Sequence, residues 1–512
     1  MSFMDSMRST LNNDFNESYT ENGALGYRTT GKNLLDLNFK VASLRKAGAE
    51  TIISDFDKAF SDDKMHALKW LFYLRDAREG LGERRSFRII MSHLANVEPE
   101  ICKAVIALVG EYGRYDDLFS LVGTECEKYM LDYVKDKFEE DLKLMKCRKP
   151  VSLLGKWMPS SNASSHKTRE NATIVRKHLG MSEAKYRKSL SALRARIDIV
   201  ERKMSAKEWG EINYEAVPSK ANILYNAAFL KNDEDRRREY LAKLEKGEAK
   251  INSSTNFPHD IVHSYIKGSW RCNVKEDKTL EALWKALPDM VKEDGNTLVV
   301  RDGSGSMCTN VDPNSSLTAL EVATAIAIYF SERSSGEFKD NFITFSSRPE
   351  MIDLSKCATL AEKIRRCYAE DDCSNTNIEK TFDLILQTAI NSNMKQEDMP
   401  KNILIVSDME FDSATYSWGS ACTVNETLFK TIGRKFENAG YQIPRLVFWN
   451  VNSRTGTIPV KENALGVALV SGFSVNIVKM VLSGELDPYK CLIEQLDTER
   501  YAPVEAAVKD LV

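Results

Sequence analysis

The chain has 512 residues, of which 71 are basic and 74 acidic, with 43% hydrophobic and 28% charged residues. This composition is typical of a globular protein and excludes collagen-like and disulfide-scaffold classes. The length predicts two or more domains, because it exceeds what one hydrophobic core usually serves. No apolar stretch is long enough to span a bilayer, and residues 1–17 lack the apolar core of a secretory signal. We therefore expect a non-secreted, cytoplasmic protein with no membrane partner.

The ten cysteines are scattered along the chain, without a CxxC pair and without neighbouring histidines. A disulfide framework would be denser, and a zinc site would contain paired ligands at short spacing. We expect reduced thiols and no zinc.

The first part of the chain is typical of an all-α domain. Residues 64–74 carry apolar side chains at helical spacing and end before the glycines of residues 80–82. A second helix is predicted from Arg85, and residues 101–109 form another apolar run before Gly110 and Gly113. Such helix pairs indicate a helical-repeat array, which we place at residues 1–285.

The second part alternates strands and helices. Short β-branched or aromatic runs occur at residues 296–301, 341–345, 402–406 and 445–451, with helical patterns between them, such as 317–332 and 379–389. This alternation predicts an α/β, doubly wound parallel sheet, which we place at residues 286–512. The polar stretch 247–257 is interpreted as a long loop rather than the domain boundary.

A strongly basic segment is hidden by the neutral total charge. Residues 143–207 contain 17 Lys and Arg against four acidic residues. Such asymmetry favours a polyanionic partner, although a single charge run is more often a solvated helix face. The candidate RNA-binding residues are Lys156, His166, Lys167, Arg169, Arg176, Lys177, Lys185, Arg187, Lys188, Arg194 and Arg196.

Two further features of the basic regions bear on RNA binding. Trp157 is expected to anchor the core or a turn rather than to stack on bases. A second basic cluster is partly neutralised in sequence by Asp76, Glu79 and Glu83; it comprises Arg75, Arg78, Arg84, Arg85 and Arg88.

Oxygen-bearing side chains follow two of the predicted strands. Asp302, Ser304 and Ser306 come directly after the first strand, and Asp408 follows the strand at 402–406. Thr376 stands in the segment 374–377, which opens a predicted helix. The carboxyl edge of an open α/β sheet is where such folds bind ligands, and hard cations prefer oxygen donors. These residues predict a site for Mg²⁺, or for another divalent cation such as Mn²⁺.

This three-loop pattern resembles the metal-ion-dependent adhesion site of von Willebrand factor A domains. The resemblance implies that Ser304, Ser306 and Thr376 contact the metal directly, while Asp302 and Asp408 hold it through water. It also implies an open coordination position for an oxygen of a partner. Arg301 and Gly303 depart from the apolar residues that many such domains carry there.

A helical array followed by an A domain resembles the Ro autoantigen proteins, whose TROVE module is a ring of HEAT-like helical repeats that binds small RNAs. Residues 112–118 are similar to a segment of such modules. Closer still is a related uncharacterised family from large viruses, phages, bacteria and plants, with similar segments at 80–85, 156–160, 217–221 and 407–412. The resemblance covers nearly the whole chain and implies a ribonucleoprotein.

Two non-catalytic functions follow as hypotheses. The first is the binding of a small RNA, non-coding or misfolded, structured or with a single-stranded end, on the basic helices. The second is a protein-interaction or assembly module in which the metal accepts an acidic residue of a partner. An enzyme is not expected, because Gly-Lys-Ser/Thr phosphate loops, GxSxG and HExxH motifs are absent and no motif places a general base.

Overall fold

The computed structural model describes residues 16–267, 274–291, 296–345, 349–369, 378–411, 428–459, 467–482 and 487–512, together with Met4 and Met7. Two compact units are present. The first, called here the α/β unit, comprises the described residues up to 48 and from 256 to 495. The second, called the helical unit, comprises residues 49–255 and 496–512.

A six-stranded sheet forms the centre of the α/β unit. Its strands are β3 (Thr297–Asp302), β4 (Asn341–Phe345), β5 (Glu350–Asp353), β6 (Asn402–Ser407), β7 (Arg445–Asn450) and β8 (Val467–Ser471). Their spatial order is β5-β4-β3-β6-β7-β8. All neighbours pair in parallel except the edge strand β5, which is antiparallel to β4. The strand order therefore reverses between β3 and β6, the position at which open sheets leave a ligand-binding crevice.

The helix Ala319–Arg333 packs on β3, β4 and β6 and is buried over most of its length. It begins at a capping box in which the Thr318 hydroxyl and the Glu321 carboxylate satisfy each other's backbone N–H groups. Arg301 is fully buried on β3 and donates to the Thr324 hydroxyl of this helix at 3.0 Å. This hydrogen bond accommodates a buried arginine at a strand position where apolar residues are common.

The other helices of the α/β unit are Asn33–Phe39, Val41–Leu44, Pro258–Ile266, Lys278–Lys285, Leu360–Ala369, Ile378–Asn391, Leu428–Asn438, Val478–Leu482 and Pro488–Leu496. Short 3-10 turns lie at Gly305–Cys308, Gly336–Phe338, Gln396–Asp398 and Val475–Ile477.

An N-terminal hairpin of the α/β unit pairs with the loop after β7. Strands β1 (Glu17–Tyr19) and β2 (Leu25–Tyr27) pair antiparallel, and Tyr27 bridges to Ile458 beyond β7. A buried carboxylate, Glu410, fixes the junction: it accepts the backbone N–H groups of Glu21 at 2.8 Å, Arg454 at 2.8 Å and Thr455 at 2.9 Å. One side chain therefore holds the hairpin and the loop after β7 to the end of β6.

The helical unit consists of the helices Ala49–Asp62, Lys64–Arg75, Arg85–Val97, Pro99–Val105, Val109–Tyr112, Glu127–Lys146, Leu154–Trp157, His166–His178, Glu183–Ile197, Val200–Ser205, Ser219–Leu224, Asn226–Asn232, Glu234–Glu245 and Ala502–Val508. Short 3-10 turns lie at Ile106–Leu108, Tyr115–Leu121, Trp209–Glu211, Tyr214–Ala216 and Glu499–Tyr501. The C-terminal helix Ala502–Val508 packs on Lys64–Arg75 and Pro99–Val105.

The structure confirms a helical region followed by a region with a parallel sheet, but it divides the chain differently from the expected boundary at 285/286. Residues 16–48 and 256–285 belong to the α/β unit, and residues 496–512 belong to the helical unit. The boundary at 255/256 falls in the polar loop 247–257, which the sequence predicts to be a loop rather than a boundary. The difference arises because these segments pack against residues from 58 to 429 positions away, which local periodicity does not reveal.

Within the described part of the chain, no helix combines the length and apolar character needed to cross a membrane.

The Glu410→Gln substitution is expected to lower the free energy of unfolding by about 2–3 kcal/mol, because three N–H groups lose a charged acceptor and meet an amide. Urea unfolding of the full chain measures the effect. Glu21→Gln is the control: its side chain is 53% exposed, so a loss under about 1 kcal/mol is expected. Equal losses in the two variants would contradict this role of Glu410.

Candidate functional site

The turn after β3 brings two hydroxyl groups together. The Ser304 and Ser306 hydroxyls are 2.9 Å apart, at the start of the 3-10 turn Gly305–Cys308. The Ser304 N–H donates to Asp302 Oδ1 at 2.9 Å, which fixes the chain direction as it leaves the strand. Asp302 is completely buried, whereas Ser306 is half-buried. The sequence prediction that these three residues share one sheet edge is therefore realised.

Asp302 also connects the two strand ends. Its Oδ2 accepts the Ser407 hydroxyl at 2.6 Å, and Ser407 Oγ accepts the Met409 N–H at 3.0 Å. The neighbouring Asp408 is buried and accepts a hydrogen bond from the Ser306 side chain. The carboxylates of β3 and β6 are thus brought together where the strand order reverses. Ser407 was not among the predicted site residues, although its position at a strand end was a usable signal.

Burial raises the pKa of both carboxyl groups. The pKa of Asp302 is raised to about 7 by burial and then by repulsion from Asp408. Burial also raises the pKa of Asp408. Two buried carboxylates with raised pKa values gain stability from a bound cation, because a cation removes both the desolvation cost and the repulsion.

One oxygen of this site lacks a hydrogen bond. Asp408 Oδ2 is buried and accepts none from the described residues. The Arg454 guanidinium is close by: its Nη2 lies 3.5 Å from Asp408 Oδ2 and 2.7 Å from Glu21 Oε2. Sequence reasoning missed Arg454 and Glu21, because no local motif relates them to Asp408.

This donor set fits a hard divalent cation. Two hydroxyls and two carboxylates, one of which has an oxygen without a hydrogen bond, are ligands that Mg²⁺ accepts. Among the described residues no group of three His, Cys, Asp or Glu side chains could hold a metal ion, so such a site depends on Ser304 and Ser306. Thr376, the fifth expected ligand, lies outside the described residues, as does the segment 374–377.

Ten of the eleven basic candidates lie in the helical unit on two helices, His166–His178 and Glu183–Ile197, which both pack on Glu127–Lys146. The other, Lys156, is half-buried on the short helix Leu154–Trp157. Tyr186 anchors the second helix: it is buried beside Phe138, and its hydroxyl donates to the Pro159 carbonyl at 2.8 Å. Eight of the candidates on these helices are exposed. We call five of them the basic face: Lys167, Lys177, Lys185, Arg187 and Lys188.

Arg194 has a different position from that expected. Its guanidinium donates to the carbonyls of Gly155 at 3.0 Å and Met158 at 2.9 Å, and to the Ser160 hydroxyl at 2.9 Å. Burial lowers its pKa. The guanidinium of Arg194 therefore holds the loop around residues 155–160 rather than facing a ligand.

Other candidates also have local partners. Arg169 Nη1 donates to the Ala163 carbonyl at 2.7 Å, and Arg176 Nη1 donates to the Met181 carbonyl at 3.2 Å. Arg196 Nε donates to the Lys149 carbonyl at 3.2 Å. His166 is exposed, with Nδ1 3.5 Å from Glu170 Oε1.

Trp157 is half-buried and lies beside cations. The Arg114 guanidinium carbon is 3.7 Å from its ring centroid, and Lys156 Nζ is 5.3 Å away. A guanidinium at 3.7 Å is a close cation–π contact. Trp157 is therefore a packing residue whose ring also contacts the cationic groups of Arg114 and Lys156.

The comparisons with known proteins match the chain in two parts that meet near residue 296. Residues 20–109 and 164–297 match a family described as Domain of unknown function (DUF2828), and residues 296–507 match Domain of unknown function (DUF7788). Over 529 residues the chain is 29% identical to Uncharacterized protein L728 of Acanthamoeba polyphaga mimivirus, covering 96% of this chain and 89% of that protein. None of these descriptions assigns an activity.

In the presence of a chelator, the Asp302 carboxyl is expected to make the protein less stable as pH rises. Its folded-state pKa is raised to about 7 from the ordinary 3.8, so the folded state retains a proton that the unfolded state has lost. The loss begins above about pH 4 and is complete above about pH 7. Thermal unfolding of the wild type and of Asp302→Asn between pH 4.5 and 8 measures it.

Asp302→Asn cannot ionise, so its melting temperature is expected to fall less over this range. Parallel curves for the two proteins would contradict the raised pKa of Asp302.

Proposed function

We propose that this protein is a non-catalytic RNA-binding protein of the Ro type. In this proposal the helical unit is a HEAT-like array, and its basic face holds a small RNA, non-coding or misfolded. The supporting observation is the basic face itself: five exposed cationic side chains on two helices that share one packing partner. Exposed Lys and Arg neutralise phosphates and release counterions, which supplies sequence-independent affinity. A cytoplasmic location stays a prediction.

The α/β unit, in this proposal, is a doubly wound von Willebrand factor A domain that binds Mg²⁺ or Mn²⁺. Ser304, Ser306 and Thr376 would contact the ion, and Asp302 and Asp408 would hold it through water. A bound ion would supply positive charge for an oxygen of a partner. The chain's own residues position the site, because Asp302 and Ser407 join the two strand ends.

A protein-interaction module is the second candidate function, favoured by the unsatisfied Asp408 Oδ2 beside the paired hydroxyls. In that case an acidic residue of a partner would complete the coordination of the metal. The two functions are compatible because they use different units.

The direct experiment is to purify the protein at moderate salt, record its absorbance ratio at 260 and 280 nm, and sequence any nucleic acid extracted from it. Nuclease-sensitive RNA of defined species is expected. A nucleic-acid-free protein that also ignores structured RNA at low salt would reject RNA binding. The next experiment would then be a search for a protein partner whose binding is lost when a chelator removes the metal ion.

Reversing two charges of the basic face, Arg187→Glu with Lys188→Glu, is expected to weaken RNA binding at least tenfold at about 100 mM salt. The magnitude of the slope of log affinity against log salt should fall by about 1.4–1.8, since each of the two lost phosphate contacts removes about 0.7–0.9. Filter binding across a salt series measures both quantities.

The matched control for this pair is Arg238→Glu with Lys243→Glu, on the helix Glu234–Glu245 of the same unit. It makes the same change in net charge away from the basic face, so a much smaller effect is expected. If both double variants lose affinity equally, the basic face is not the binding surface.

Replacing Ser304 and Ser306 together by Ala is expected to abolish stabilisation by Mg²⁺ while leaving RNA affinity within about twofold of wild type. For the wild type, ligand linkage predicts about 2.7 kcal/mol of added stability at a Mg²⁺ concentration a hundred times the dissociation constant. Thermal unfolding with Mg²⁺ or with a chelator measures it. Mg²⁺ stabilisation that persists in the double variant would exclude this hydroxyl pair as ligands.

A further inference from the structure

Three arginines of the helical unit converge on one carboxylate. Arg114 Nε donates to Asp116 Oδ1 at 2.8 Å, Arg88 Nη2 lies 3.1 Å from Asp116 Oδ2, and Arg84 Nη2 lies 3.4 Å from the same oxygen. Asp76, which the sequence suggested would partly neutralise Arg84 and Arg88, pairs with Arg500. Asp116 and Asp117, which these arginines contact, both lie in the segment 112–118.

The neighbouring carboxylate, Asp117, is already engaged by hydrogen bonds within the fold. It is buried and accepts Arg75 Nε at 2.7 Å, Arg88 Nε at 2.6 Å and the Arg114 N–H at 3.0 Å. Asp117 is therefore committed to the fold, joining the helices Lys64–Arg75 and Arg85–Val97 to the turn Tyr115–Leu121. Four guanidinium groups thus surround two carboxylates, and the excess charge lies on the exposed side around Asp116.

Two observations indicate that this cluster is incomplete without an anion. The buried Nη2 of Arg88 makes no hydrogen bond within the described residues, although Asp116 Oδ2 is near. The Arg84 side chain, 43% exposed, reaches Asp116 and Asp117 only at 3.4 and 3.6 Å, at the limit of an ion pair. Donors of this kind are available to a further oxygen acceptor.

The cluster is linked by contacts to a helix of the basic face inside the helical unit. Arg114 stacks on Trp157 at 3.7 Å, and the helix Leu154–Trp157 packs on Glu183–Ile197, where Arg194 donates to the Gly155 carbonyl. The helix Glu183–Ile197 carries Arg187 and Lys188 of the basic face. The cluster and part of the basic face therefore belong to neighbouring elements of one unit.

We propose that Arg84, Arg88 and Arg114 form a phosphate-binding subsite that takes a backbone phosphate of the RNA. The inference rests on the proposed function. Guanidinium groups present paired donors that match phosphate oxygens in bidentate geometry, and they neutralise a phosphate more specifically than lysine does. Asp116 holds the three arginines in place, while the phosphate supplies the negative charge that Asp116 alone does not.

The test compares Arg84→Gln with a matched control, Arg238→Gln. Arg238 belongs to the same unit, is 68% exposed and pairs with one carboxylate, that of Glu234. Arg84→Gln is expected to weaken single-stranded RNA binding about three- to tenfold at 100 mM salt and to lower the salt slope by about 0.7, the value for one lost phosphate contact. Arg238→Gln is expected to change neither, and equal behaviour of the two variants overturns the subsite.

Arg84→Lys is a second variant that controls for a folding defect in Arg84→Gln. It keeps the charge but loses the bidentate donors, so its affinity is expected to lie between those of the wild type and Arg84→Gln. Circular dichroism checks that each variant is folded. Full wild-type affinity in a folded Arg84→Gln protein contradicts the subsite even if RNA binding itself is real.

Binding of pyrophosphate tests the phosphate subsite independently of the proposed RNA-binding function. By calorimetry the wild type is expected to bind pyrophosphate, and Arg84→Gln is expected to lose most of that binding. If the wild type binds pyrophosphate through Arg84 but binds no RNA, the phosphate subsite stands and the RNA function fails. If the wild type binds RNA but pyrophosphate binding is absent or unaffected by Arg84→Gln, the subsite fails and the RNA function stands.

Discussion

The organisation of the α/β unit depends on a carboxylate that the fold buries completely. Asp302 ends β3, and its two oxygens accept the Ser304 N–H and the Ser407 hydroxyl, so it joins adjacent strand ends at the reversal of strand order. Burying a carboxylate is costly unless it is paired or hydrogen-bonded. The cost is partly offset by these two donors. In the proposed function a bound cation would offset the remainder, so that one group would have both a structural and a ligand-binding role.

A second buried carboxylate, Glu410, extends the same principle. Asp302 fixes two strand ends to each other, whereas Glu410 fixes the N-terminal hairpin and the loop after β7 to the end of β6. This brings Arg454 within 3.5 Å of Asp408 Oδ2 and Glu21 within 2.7 Å of Arg454. In the proposed function, the positive charge of Arg454 at this edge would oppose that of an incoming metal ion.

In the helical unit, some arginines are paired with acceptors of the fold, and others are exposed and available to a ligand. Arg75 and Arg194 are largely buried and bind a carboxylate or carbonyl groups of the fold. Arg187 and Lys188 are exposed on the helix surface. Buried guanidinium groups require several acceptors, so the fold uses them to join segments. A count of basic residues in the segment 143–207 therefore overstates the charge available to a polyanion.

The sequence alone determined the order of a helical part and an α/β part, four of the sheet's strands, and the position of Asp302, Ser304, Ser306 and Asp408 at one edge. These follow from local pattern, because parallel strands end together and side-chain periodicity reports burial. Only the tertiary structure decided the division at 255/256, the hairpin at residues 17–27, and the placing of Arg454 beside Asp408. Those features join residues from tens to hundreds of positions apart, such as Asp408 with Arg454 and Tyr27 with Ile458. Such contacts are selected by packing and by the pairing of buried charges rather than by any local motif.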